Sequence, residues 1–219
     1  QWITRIIGSG WERTGGFGES LASLGGSTSS DGQFENRTGL KLLQGRTLSM
    51  PFSYFKQPGT TTPFINGTTP SLTFRLEFRR EGLGNGNPIF LLRNSANANS
   101  FIAIDVAGTQ LRVRAKNAGV DCFPDATLNP AIPDNGERRV VVVVSTTFVR
   151  VSITNVVNQS ATTTTINVTG PNLPAIDRFN AGGDQAGNTS NWRLGYWVFY
   201  DGLRDQAAAE FYASRQWGE

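Results

Sequence analysis

Apolar and polar residues alternate strictly between Ser71 and Arg80, where Leu72, Phe74, Leu76 and Phe78 are spaced by Thr73, Arg75, Glu77 and Arg79. A period of two belongs to a β-strand with one face against a core. It turns the Leu and Phe side chains inward and Arg75, Glu77 and Arg79 outward. From Phe101 to Asn117 the alternation runs on both sides of Ala107-Gly108-Thr109, which predicts a hairpin whose glycine tolerates a positive φ. Val140 to Val144 is an unbroken valine run, followed by FVRVSI from Phe148. Five β-branched residues in succession disfavour a helix and fit a central strand covered on both faces. Thr162 to Val168 is also β-branched, but polar enough for a sheet edge or a solvated face. Trp192 to Tyr200 is the most aromatic stretch and predicts another central strand.

Gly, Ser, Thr, Asn and Pro separate these runs and predict loops over 25–33, 57–70, 81–88, 122–136 and 171–191. One helix is expected, near the C-terminus, where Leu203, Ala207, Phe211 and Ser214 form a stripe with Trp217 close to it. Its alanines favour the helical state, and Trp217 is expected to dock on the strands. Roughly ten to thirteen strands and one helix predict an all-β fold: a two-sheet antiparallel jelly-roll sandwich with a short C-terminal helix. No interdomain linker or internal repeat interrupts it, so residues 1–219 are expected to form one domain.

Composition narrows the chemistry. A chain of 219 residues can bury a core without disulfide or metal staples. No apolar run approaches the ~20 residues of a bilayer span, and the opening QWITRIIGSGW lacks the pattern of a secretory leader. The sequence contains no His, which removes the commonest general base and the commonest metal ligand. The lone Cys122 then has no imidazole to activate it and reads as a packing residue. Net charge is +3, carried by 20 basic residues of which only Lys41, Lys56 and Lys116 are lysines. They are scattered, with Arg75, Arg79, Arg80, Arg112 and Arg114 nearest to a patch, and read as solvated alternate strand positions. Nucleic acid is therefore not an expected partner. Arginine in place of lysine suits protein interfaces.

SLTFRLEFRR, PIFLLRN with SFIAIDVAGTQLRVRAKN, and ERRVVVVVS with FVRVSITN follow one another in an order that resembles the concanavalin A-like, laminin-G-like jelly-roll family. The ending LGYWVFYDGLRDQAAAEFYASRQWGE is similar to a variant of phage and bacterial surface proteins, in which a strand of the type aEvlvYdraL leads into a helix closing on Y-L-x-x-K-W-G. Tyr200, Asp201, Leu203, Tyr212, Trp217 and Gly218 match that pattern. Arg204 replaces the usual Ser or Thr cap, and Ala207 replaces a Glu.

The resemblance implies three chemistries to test. Glycoside hydrolases of this fold carry E-x-D-x-x-E or E-x-D-x-E on one strand, since retaining hydrolysis needs two carboxylates about 5 Å apart. Neither motif is present, and Glu77 with Glu81 straddles a strand end. Lyases of this fold use His with Tyr and Arg, and His is missing. The chain is accordingly expected not to be an enzyme, the alternative being a polysaccharide-active hydrolase or lyase with unrecognised carboxylates. No cofactor is expected, with Ca²⁺ the one candidate: Asp121, Asp125 and Asp134 share a loop and offer the oxygen ligands calcium takes. The plainer reading of these residues is turn chemistry. Sugar binding needs aromatic platforms and hydrogen-bonding side chains, for which Asn94, Asn97, Asn99, Asn188, Asn191 and Trp192 are the candidates. The expected function is a binding or structural module of a phage virion or bacterial surface assembly, such as a decoration, fibre or receptor-binding protein. Its partners would be other protein subunits in a homo-oligomer or virion lattice, and cell-surface glycans. It would sit on the virion or outside the cell. A free-standing carbohydrate-binding module is a further alternative.

Overall fold

The computed structural model describes residues 5–6, 22–24, 32–34, 40–42, 47–51, 72–80, 88–133, 136–155, 157–181 and 192–201. They form sixteen strands. In chain order these are β1 (Arg5–Ile6), β2 (Ala22–Leu24), β3 (Gly32–Phe34), β4 (Leu40–Leu42), β5 (Thr47–Pro51), β6 (Leu72–Arg80), β7 (Phe90–Asn94) and β8 (Asn97–Ala107). They continue as β9 (Gln110–Asn117), β10 (Val120–Asp121), β11 (Ala126–Leu128), β12 (Glu137–Val144), β13 (Phe148–Asn155), β14 (Ala161–Asn167), β15 (Arg178–Ala181) and β16 (Trp192–Asp201). The excess over the expected ten to thirteen comes from segments of two or three residues.

Two eight-stranded sheets result. The first runs β14-β13-β12-β6-β16-β4-β3 with β1 beside β16, and the second runs β10-β9-β8-β7-β15-β5-β2 with β11 beside β9. Every pairing is antiparallel except that of β1 with β16. The architecture is the all-β, two-sheet sandwich expected from the sequence. The helical stripe from Leu203 to Trp217 lies outside the described residues.

Alternation determines the inner faces. Leu72, Phe74, Leu76 and Phe78 of β6 are all buried, as are Val140, Val142 and Val144 of β12 and Val149, Val151 and Ile153 of β13. Ile102, Ile104, Val106, Leu111 and Val113 face them from β8 and β9, and all belong to one core cluster. An aromatic column crosses it. Phe74 stacks on Phe90 at 4.8 Å between centroids, and Phe90 stacks on Phe179 at 5.2 Å. The β8–β9 turn has a positive φ of 63° at Gly108 and none at Thr109, as a glycine-first two-residue hairpin requires.

The valine run is covered on both faces as expected, with Val141 and Val143 of the outer face also buried. That layer corrects another expectation. Arg75 does point away from the core, but it is only 6% exposed rather than solvated. Its cross-strand partner is Val141, and Thr73, Ser152 and Thr154 are buried on the same outer layer. An arginine stem can occupy such a layer because most of its surface is aliphatic.

Two strands fall inside segments read as loops. β11 lies within 122–136 and adds to β9. β15 lies within 171–191 and bridges β5 and β7. Neither is longer than four residues, so no period could announce it; ladder bonds from both neighbours hold β15 in place.

Candidate functional site

The outer face of the second sheet carries the densest polar chemistry among the described residues. The β8–β9 hairpin pairs residues symmetrically about its turn, so Asp105 stands opposite Arg112, Ala103 opposite Arg114, and Phe101 opposite Lys116. Alternation puts all six on the face away from the core. Asp105 is fully buried. Its carboxylate accepts from Arg112 Nε at 2.8 Å and Arg112 Nη2 at 3.1 Å. It also accepts from Arg114 Nε at 2.6 Å and forms an ion pair with Arg114 Nη2.

A buried carboxylate is tolerated only when its lone pairs are satisfied in this way. The hydrogen bonds to Asp105 raise the Arg112 pKa above its ordinary value, against the opposing effect of burial, with the charges of Asp105 and Asp125 adding to the rise. Asp105 thus clamps two guanidinium groups that remain 23% and 22% exposed. Arg114 also lies over the Phe101 ring, 5.7 Å from its centroid, within cation–π range.

The network continues to the rim. Lys116 Nζ meets the Asp121 carboxylate at 3.1 Å, and Arg112 Nη1 meets Asp125 at 3.5 Å. On β7, Arg93 is buried on the same outer face and its Nε donates to Asn180 Oδ1 at 3.2 Å. Burial lowers the Arg93 pKa, helped by the neighbouring Arg178 and opposed by Asp177. Asp177 in turn accepts from the Ser95 amide at 2.8 Å and from its hydroxyl.

The asparagines expected to hold sugar divide between this rim and the undescribed part of the chain. Asn94, Asn97 and Asn99 lie together at the β7–β8 turn. Asn94 Oδ1 accepts from the Ala96 amide at 2.9 Å, and Asn97 Oδ1 from the Asn99 amide at 3.0 Å. Their acceptor oxygens therefore serve local turns. Asn99 lies beside the β9–β10 turn, its carbonyl accepting from the Gly119 amide at 2.9 Å. Asn188 and Asn191 lie outside the described residues. The Trp192 backbone opens β16, paired with Leu42 and Arg80.

Two of the three calcium candidates are among the described residues. Asp121 and Asp125 each face a basic side chain, Asp134 lies outside the described residues, and among the described residues no three His, Cys, Asp or Glu side chains converge. Carboxylates already matched by Lys116 and Arg112 do not fit a divalent ion. Cys122 is buried, with its Sγ 3.6 Å from the Asn172 carbonyl oxygen, and burial raises its pKa, with Asp121 adding to the effect. A raised thiol pKa is the opposite of nucleophile activation.

Sequence reasoning did not pick out Asp105, Phe101, Arg93 or Asn180. For Asp105 a signal existed: a two-residue turn at Gly108-Thr109 makes residues 105 and 112 face each other, an acid opposite a base at outward positions. No local signal marks Asn180, since β15 joins β7 only in the tertiary structure.

No family model matches the chain, and no curated protein sequence matches it. Solved structures do share its fold. Domain 4 of AbnA, an extracellular GH43 arabinanase from Geobacillus stearothermophilus in complex with arabinotriose, aligns with TM-score 0.55 at 14% identity over 95% of this chain and 85% of that one. The enzymatically active domain of bacteriophage CBA120 tailspike protein 2 aligns with TM-score 0.63 at 10% identity over 94% of this chain and 32% of that one. Mouse laminin α1 domains LG4-5 align with TM-score 0.52 at 10% identity over 80% and 43%. The chain thus spans less than half the length of the tailspike and laminin chains.

The fold is the laminin-G-like sandwich that the strand order resembles. The expectation that the chain is not an enzyme is corrected by the same comparisons, because this sandwich occurs in an arabinanase domain and in an enzymatically active tailspike domain. Missing His and a missing carboxylate motif close two catalytic routes only, and a fold accepts many other placements of reacting groups.

Proposed function

We propose that this chain is a carbohydrate-recognising β-sandwich of a virion or extracellular surface protein, and that its sugar site is the outer face of the second sheet. The observation that carries the reading is the Asp105 clamp. Arg112 and Arg114 are held in fixed orientations by Asp105, with Arg114 over the Phe101 ring, so little side-chain entropy is lost when their remaining N–H groups meet a ligand. Sugars need this combination: rigid donors and acceptors for adjacent hydroxyls, and an aromatic edge for C–H faces. The rim adds the amides of Asn94, Asn97 and Asn99. The cations of the site are matched by Asp105, Asp121 and Asp125, which favours uncharged saccharides over polyanions. The arabinotriose bound to the arabinanase domain of the same fold is a saccharide of that class.

Among the described residues no helix is long and apolar enough to cross a membrane. The phage-type ending and the tailspike comparison support a place in a virion or surface assembly, where glycans are the first contact.

The test is a glycan array of neutral and acidic polysaccharides, probed with the native chain and with Phe101→Ala and Lys116→Ala. Retention of neutral glycans, weakened at least tenfold by either substitution, is the expected result. Retention of none, or retention indifferent to both, overturns the reading. Reducing ends released in the same incubations would show turnover directly.

A further inference from the structure

β14 closes one side of the first sheet, with β13 its neighbour. The register between them settles which of its backbone groups are used. The Asn155 amide donates to the Ser160 carbonyl, and the Val168 amide to the Thr147 carbonyl, each at 2.9 Å. Hydrogen-bonded pairs recur every second residue in an antiparallel ladder. The intervening bonded pairs are therefore Ile153 with Thr162, Val151 with Thr164, and Val149 with Ile166. Ala161, Thr163, Thr165 and Asn167 turn their N–H and C=O groups the other way. All four are exposed, and no backbone partner for them occurs among the described residues. Natural sheets protect such edges with charges, proline or a bulge. The sequence ATTTTIN contains no charge and no proline, and its ladder with β13 runs without a register shift.

We propose that β14 is the surface through which two copies of this chain pair, edge to edge and antiparallel, about a two-fold axis at Thr164. Such an axis makes each residue meet its symmetry mate. Centred on Thr164, it sets Thr163 opposite Thr165 of the second copy and Ala161 opposite Asn167. Each of these pairs joins two outward-facing residues, so all four find ladder partners at once, in four bonded pairs that make about eight hydrogen bonds. A slip of one residue would set outward groups against inward ones and lose the ladder.

The absence of charge points to a second copy as the occupant. Around a two-fold axis, like residues of the two copies lie close together, and a charged edge would repel its own mate. The half-buried Ile166, which packs against the core at the end of the sheet, falls opposite Thr162 of the second copy and is covered there.

Size-exclusion chromatography with light scattering tests this on the full chain. The native protein should elute at twice the chain mass. Thr163→Lys with Thr165→Lys places ammonium groups opposite each other across the axis and should give the monomer mass. Thr163→Lys with Thr165→Glu sets opposite charges there and should restore the dimer. Both positions are exposed, and circular dichroism of each variant is to match that of the native chain. In the native dimer the amides of residues 161, 163, 165 and 167 should exchange slowly with deuterium. A monomeric native chain, a dimer that survives the double lysine, or fast exchange at those four amides overturns the proposal.

Discussion

The ring of Phe90, from the second sheet, lies against that of Phe74 from the first, with centroids 4.8 Å apart and planes 26° from parallel. Phe90 stacks on Phe179 as well, with planes 14° apart, so one side chain joins β6, β7 and β15 across the core. Phe90→Ala should cost about 3–5 kcal/mol, the range for a buried phenylalanine. Phe90→Leu keeps most of the volume and should cost less. Urea unfolding midpoints for the two variants check the order.

Among the described residues Asp105 is the one anion shared by Arg112 and Arg114. Asp105→Asn leaves both guanidinium groups facing a neutral amide in a buried position. Breaking a fully buried pair costs about 3–5 kcal/mol. Here the guanidiniums reach water, so a loss of about 2–3 kcal/mol is expected. A double-mutant cycle of Asp105→Asn with Arg114→Gln should show coupling well above that of the exposed Lys116–Asp121 pair.

Cys122 should resist thiol reagents while the chain is folded and react in urea, because its sulfur is buried and its thiolate disfavoured. The sign of the pH effect follows from linkage. The folded chain holds the thiol proton more tightly than the unfolded chain, so this contribution to stability is complete below the ordinary thiol pKa of 9.0. It is lost as pH rises through the folded value. Stability measured from pH 8 to 11 should fall less steeply in Cys122→Ala than in the native chain.

At the β9–β10 turn Ala118 holds a φ of 52°, a region costly for residues other than glycine and asparagine. Ala118→Asn creates Asn-Gly, the preferred pair for a two-residue hairpin turn. It should raise stability by about 0.5–1 kcal/mol. An unchanged melting temperature would count against strain at that position.

The strands with a clear pattern were legible because burial imposes a period. In β6, β8 and β9 the inward residues follow from alternation, since a residue shifted to the other face would place an arginine, a threonine or an aspartate in the core, whereas the valine run of β12 is apolar on both faces and only its packing decides which valines belong to the core cluster. The polarity of β14 left a sheet edge and a solvated face both open, and the strand order puts it at the edge. The candidate site was legible only in part. Arg112 and Arg114 stood out as a pair, but as solvated positions, because the partner that orders them is a single aspartate in the middle of an apolar strand.

By itself the amino-acid sequence determined the all-β class of the described residues, the inward faces of the alternating strands β6, β8 and β9, the Gly108 turn and the place of Cys122 as a packing residue. These follow from local periodicity, steric preference and residue inventory. Only the tertiary structure decided that Arg75 is buried, that β15 stands between β5 and β7, and that Asn180 lies beneath Arg93. Each of those facts depends on which residues distant in the chain come to lie side by side. A strand's own period states which side chains share a face, but carries no record of the strand that will lie next to it or of the layer that will cover it.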